Sequence, residues 1–174
     1  MSVVLVSSLS GVEGAIRRYR PSHLVSLLAP EHMIGTPPEF TGERHLRLGL
    51  NDVAEDWASE SPPTLHHIES LLAFGRGWST EAPILVHCWA GISRSMAAAY
   101  ILQCDRARPG SELKVAQDIR ARAPHACPNT LMIRLADSAM RREGRMIEAI
   151  ASIGRGEIAT EGYCVELPIR TARP

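Results

Sequence analysis

His87-Cys88-Trp89-Ala90-Gly91-Ile92-Ser93-Arg94-Ser95 places a thiol and a guanidinium with five residues between them, directly after the apolar run Pro83-Ile84-Leu85-Val86. The run reads as a short buried strand and Met96-Ala97-Ala98-Ala99-Tyr100-Ile101-Leu102 as a helix. The loop between them then presents backbone N–H groups at a helix N-terminus, where anions bind. Arg94 adds a planar fork that holds two phosphate oxygens at once. A helix N-terminus and a guanidinium both favour thiolate over thiol, and the thiolate is the nucleophile. The chemistry this spacing suits is attack of Cys88 on phosphorus, in line with the departing oxygen, to give a cysteinyl-phosphate. Arg94 and the loop Trp89, Ala90, Gly91, Ile92 and Ser93 would hold the equatorial oxygens meanwhile. Ser95 is placed to donate a hydrogen bond to the sulfur when it becomes the leaving group. Gly91 suits a turn that needs positive φ or a close backbone approach. His87, at the strand end, reads as a loop organiser rather than a base. Taken singly, a Cys after a strand is a small core hydrophobe and an Arg at a helix start is solvated. Their joint spacing sets these two apart.

The departing alkoxide or phenoxide needs a proton, so a carboxylic acid should face the loop from a second one. Asp52 follows the alternating run His45-Leu46-Arg47-Leu48-Gly49-Leu50 and lies 36 residues before Cys88. Asp56 and Glu55 share that acidic loop and are the alternatives; an acidic loop residue is otherwise merely solvated.

The Cys88 passage resembles the signature of the cysteine-dependent protein tyrosine phosphatases: His-Cys, five residues, then Arg and Ser or Thr. The resemblance is closest to the compact dual-specificity branch, whose Cys-x-x-Gly-x-Ser-Arg-Ser is matched by Cys88, Gly91, Ser93, Arg94 and Ser95. It implies the sulfur-stabilising role for Ser95 and a general acid just past a strand, some thirty to forty residues before the Cys, which suits Asp52. It also implies that Asn129, after Pro128, supports the phosphate loop at the start of a late helix; Asn129 reads equally as that helix's N-cap. A rhodanese-like sulfurtransferase fits the spacing and the Ser-Arg-Ser ending less well. The resemblance covers about residues 1–145 and is specific at the Cys88 loop, the acid loop and Asn129.

What the resemblance implies is a phosphomonoester hydrolase acting on phosphotyrosine in proteins, with phosphoserine, phosphothreonine and small phosphoesters open, and no cofactor or metal. The other class is a phosphate-binding module of the same fold with little turnover. Residues 89–93 contain no Lys or Arg, unlike the phosphoinositide-directed relatives. The chain also lacks the phosphotyrosine-recognition loop of the large tyrosine-specific enzymes. Trp89 either lines the pocket rim or packs under the loop.

The elements that must carry these residues read as α/β. Val3-Val4-Leu5-Val6, His23 to Leu28, His45 to Leu50 and Ile84-Leu85-Val86 are short apolar runs, with helical periodicity over Gly11 to Tyr19 and Pro63 to Trp78 between them. Strands alternating with crossovers predict a short, mostly parallel sheet flanked by helices in three layers. Pro62-Pro63 is expected at the first helical position and Gly75 and Gly77 at the helix end. Helices are expected over Met96 to Ala107, Ser111 to Arg122, Asn129 to Arg142 and Met146 to Ile153, broken at Pro109-Gly110 and Ala123-Pro124. Tyr163 to Ile169 reads as an edge strand or an extended surface segment, with residues 155–174 taken as a tail.

The 174 residues suit one domain, 1–174. Nineteen basic against nineteen acidic residues, scattered, leave no field for nucleic acid or an anionic membrane. Neither an eighteen-residue apolar stretch nor a basic leader is present, so a cytoplasmic location is expected. Cys88, Cys104, Cys127 and Cys164 show no metal spacing or disulfide density, and three are expected as buried spacers. His66-His67 point to different helix faces, which argues against a metal site there.

Overall fold

The computed structural model describes residues 3–169. A five-stranded sheet runs in the order β3-β2-β4-β1-β5, with β1 Val3–Ser7, β2 His23–Leu28, β3 His45–Gly49, β4 Ile84–His87 and β5 Val165–Pro168. The first four strands are mutually parallel, as the alternating pattern predicts, and β5 is antiparallel to β1. β4 lies in the middle, and the register of Ser7 with His87 ends β1 and β4 level at the point where Cys88 begins, while β2, with Ser26 opposite His87, runs on to Leu28. Ligand sites of parallel sheets lie beyond those ends.

Successive strand residues feed opposite layers, and both faces are covered, which is why the strands read as continuous apolar runs. On one face Leu5, Leu24 and Leu85 pack against Val12, Ala15 and Ile16 of α1, Val12–Tyr19. On the other, Val4, Val6, Val25, Ile84 and Val86 join the core of the remaining helices. These are α2 Leu65–Gly77, α3 Arg94–Arg106, α4 Glu112–Arg122, α5 Thr130–Ala139 and α6 Arg145–Ser152. In α3 every residue from Arg94 to Cys104 is buried, the behaviour of a helix apolar all round. It starts at Arg94, two residues before its periodic run, so Arg94 and Ser95 belong to its first turn. Among the described residues, no helix is long and apolar enough to cross a membrane.

Two local expectations change. Pro63 precedes the helix instead of opening it. The N-cap of α2 is Thr64, whose Oγ1 accepts from His67 N–H while His67 Nδ1 accepts from Thr64 N–H. The helix ends at Gly77, as expected, and Gly75 in its last turn has a further role: a Cβ there would run into Leu102 Cδ2, so its missing side chain lets α2 lie against α3. Residues 165–168 form an edge strand and not a tail, because Val165 and Leu167 alternate inward onto the core while Glu166 faces out. The outer edge position accommodates Pro168. Residues 170–174 of the expected tail lie outside the described residues.

A polar ladder crosses three adjacent strands beneath the site. Ser26 Oγ on β2 lies 2.6 Å from His87 Nε2 on β4 and 2.8 Å from His45 Nε2 on β3, all buried. Burial pushes both imidazoles down to about 4. An unfolded His titrates near 6.5, so between about pH 6.5 and 4 the unfolded chain binds protons that the folded one refuses. The stabilisation is complete above that window and is lost as pH falls through it. The expected result is a melting temperature that declines across this range, with a shallower decline in His87→Gln, which does not titrate. A slope unchanged from wild type in both His45→Gln and His87→Gln would rule the ladder out as its source.

Candidate active site

The loop from Cys88 to Ser93 joins β4 to α3, and its carbonyls are claimed by three distant segments. Leu9 N–H donates to Trp89 O at 3.0 Å, Gly162 N–H to Ala90 O at 2.7 Å, Cys127 N–H to Ile92 O at 3.0 Å and Asn129 N–H to Ser93 O at 3.3 Å. In a planar trans peptide the C=O and the following N–H point opposite ways. Anchoring those four carbonyls outward therefore turns the N–H groups of Ala90, Gly91, Ser93 and Arg94 the other way. Gly91 N–H shows the result, donating to Cys88 Sγ at 3.3 Å. Gly91 has φ of 74°, and a Cβ there would sit 2.7 Å from Ser8 N, so the position tolerates only glycine.

Cys88 Sγ is buried and lies 3.1 Å from Ser95 Oγ, at the start of α3. Arg94 is 7% exposed, and its NH1 donates to Leu50 O at 2.8 Å, which fixes the plane of the guanidinium. Its Nε is buried without a hydrogen-bond partner. Such a donor costs free energy unless an acceptor arrives.

The strand β3 leads into Asp52, whose Oδ1 accepts from Ser93 Oγ at 2.7 Å and from Asn129 Nδ2 at 2.8 Å. Its Oδ2 faces Arg94 Nε at 3.9 Å. Asp52 is thus the acidic-loop carboxylate tied directly to the Cys88 loop. Glu55 is engaged elsewhere, paired with Arg134 at 3.1 Å, and Asp56 lies on the exposed turn Asp56–Ala58. Asn129 is the N-cap of α5, its Oδ1 accepting from Met132 N–H, and its Nδ2 donates to Asp52 Oδ1 and Val53 O. Its side chain thus ties down the acidic loop and its backbone N–H the Cys88 loop. Arg134, one turn further along α5, donates to Ala54 O at 2.8 Å and braces the same acidic loop.

His87 is buried in the ladder under the loop. Of the two readings of Trp89, the structure takes the rim: it is 56% exposed, with its ring 5.3 Å from that of His32. All four cysteines are free. Of the three expected as buried spacers only Cys104 is buried, its thiol pushed up to about 12 by burial in α3. Cys127 and Cys164 are half-buried, because one sits in the loop that anchors Ile92 and the other at the approach to the edge strand.

Sequence reasoning missed the Ser93 hydroxyl as a ligand of Asp52, Arg134 as a brace, and the contribution of Gly162. Each acts across the fold. Only Arg134 carried a signal, a cation on a helix opposite an acidic loop.

No protein-family model matches the sequence, and no curated protein matches it. Among solved structures, the chain is similar to DUSP15, at 18% identity and a TM-score of 0.55, over 86% of this chain and 89% of that one. It also aligns with OH1 from the Orf virus, described as a tyrosine phosphatase with triple substrate specificity, at 14% identity and a TM-score of 0.43, over 86% and 80%. The Cydia pomonella PTP-2 phosphatase aligns at 13% identity and a TM-score of 0.42, over 93% and 92%. At 18% identity the likeness to DUSP15 is one of fold. With its central β4, its helix-capped loop and its covering helices, the chain has a dual-specificity-like tyrosine phosphatase fold.

Proposed function

We propose that the protein is a phosphomonoester hydrolase working through a cysteinyl-phosphate, with phosphotyrosine in proteins as its main substrate and phosphoserine or phosphothreonine as secondary ones. The observation that carries this reading is the buried Nε of Arg94, which has no hydrogen-bond partner and only the Asp52 carboxylate at 3.9 Å, beside a loop whose N–H groups are turned toward Cys88. A phosphoryl group supplies the missing acceptors.

In the first step the Cys88 thiolate forms an S–P bond as the P–O bond to the leaving group breaks, and Asp52 gives its proton to that oxygen. Arg94 and the loop amides hold the equatorial oxygens through the transition state. In the second step Asp52, now a carboxylate, takes a proton from water as the water oxygen attacks phosphorus. The S–P bond breaks, phosphate leaves, and Ser95 donates to the departing sulfur. Ser93 and Asn129 bind one oxygen of Asp52 and so leave the other for the proton. The cytoplasm suits this chemistry, since a thiolate catalyst needs a reducing compartment.

Hydrolysis of a chromogenic aryl phosphate at mildly acidic pH separates a hydrolase from a phosphate-binding module of the same fold. The wild-type protein should turn over, and its Cys88 should be alkylated by iodoacetate near pH 6 far faster than Cys104, Cys127 or Cys164, with vanadate protecting it. Equal labelling of the four cysteines by mass spectrometry would remove the anion site from Cys88.

A further inference from the structure

A cavity of about 740 Å³ opens beside the Cys88 loop, bounded by the acidic loop, by Pro128 and by α5 and α6. Asp52, Ser93 and Asn129 belong both to its lining and to the candidate site, so the cavity continues directly from where a phosphate would sit. It is within the range that holds a drug-sized ligand and far exceeds a single side chain. Its walls are Ile133 of α5 and Ile147, Ile150 and Ala151 of α6. The α6 residues stand at i, i+3 and i+4, one stripe of the helix, and Ile147 is 40% exposed. The stripe is therefore apolar and open on the side that faces the site.

Charge narrows the occupant. Besides Asp52, the charged lining residues are Arg134 and Arg155. Arg134 is engaged with Glu55 and Ala54 O. Arg155, just past the end of α6, is exposed and makes no ion pair among the described residues.

Resting on the phosphomonoesterase reading, we infer that this groove selects phosphotyrosine peptides bearing an apolar residue and then an acidic residue on one side of the phosphotyrosine. The apolar side chain lies on the Ile147 stripe and the carboxylate pairs with Arg155. A lysine or arginine at the second place meets Arg155 and is rejected, which gives selectivity through repulsion as well as attraction.

The test measures peptide affinity by calorimetry in Cys88→Ser protein, where no turnover intrudes. Phosphotyrosine peptides carry Leu-Leu-Glu, Leu-Leu-Lys or Ser-Gly-Ser on either the amino or the carboxyl side. On one side, Leu-Leu-Glu should bind at least about tenfold tighter than Ser-Gly-Ser, the scale of one buried aliphatic side chain. Leu-Leu-Lys should bind several-fold more weakly than Leu-Leu-Glu. Adding Ile147→Asp should erase the apolar preference, with Ile147→Ser as a milder variant should the first fail to fold. Adding Arg155→Glu should reverse the preference for Glu over Lys. Equal affinities for all peptides, or a preference that survives both Ile147 variants, would overturn the groove assignment. Wild-type hydrolysis of an aryl phosphate, run beside it, keeps the two readings apart. Selective binding without hydrolysis overturns the hydrolase and keeps the groove, while hydrolysis without selectivity does the reverse.

Discussion

Cys88→Ser should leave less than about one per cent of wild-type turnover while still binding phosphate esters, because the hydroxyl is a poor nucleophile without a general base beside it. The loop amides and Arg94 are untouched by the change, so the ground-state site survives. Arg94→Ala should lose both functions, since the fork serves substrate and transition state alike. Two charge-assisted hydrogen bonds at about 1.5–3 kcal/mol each put the loss in kcat/KM at roughly a hundred-fold to ten-thousand-fold or more. Arg94 also ties to Leu50 O, so Arg94→Lys is the control for folding. It keeps the charge but not the planar fork, and should fall between wild type and Arg94→Ala. Single-turnover kinetics together with phosphate-ester affinity check all three variants. Residual steady turnover above that one per cent level in Cys88→Ser would remove Cys88 from the nucleophile role.

Asp52→Asn should cost roughly a hundred-fold to ten-thousand-fold in kcat for an ester with a poor leaving group, the range of general acid catalysis. The substitution is conservative in structure, since an amide oxygen can still accept from Ser93 and Asn129 as the carboxylate does. The penalty should shrink for an activated aryl phosphate, whose phenoxide scarcely needs a proton. Plotting rate against leaving-group pKa for both proteins measures this directly, and the variant's line should be the steeper. Asp56→Asn, on its exposed turn, should stay near wild type. The opposite pattern, with Asp56→Asn crippled and Asp52→Asn intact, would move the acid four residues along the loop.

The parts of this fold that could be read from sequence are those written in contiguous residues. The loop from Cys88 to Ser95 is local, its strand and helix flank it, and the apolar runs of β1 to β4 are continuous because both sheet faces are covered. Asp52 could be found because it closes an alternating run. Other features depend on residues that meet only in the folded chain. Ser26, His45 and His87 form a ladder across three strands, and nothing in the period of any one strand announces it. Ser93 reaches Asp52 over 41 intervening steps of chain, and Asn129 reaches it over 77. Gly75 reads locally as a helix stop, yet its role is set by Leu102 on the facing helix. Tyr163 to Ile169 stayed ambiguous because an edge strand is defined by the free side of β1, which the segment itself does not encode.

The hydrogen bond from Gly162 to Ala90 also fixes when the site can come into being. Chains emerge from the ribosome N-terminus first, and a nascent protein extending through α6 already holds β1 to β4, the cysteine, the arginine and the acid. It does not yet hold the N–H that grips the Ala90–Gly91 peptide, nor the strand that carries that donor on to the edge of the sheet. The amide aimed at Cys88 is locked only after Gly162 has been added and β5 has zipped along β1. The loop around Cys88 thus gains this anchor later than any of the residues it holds in place.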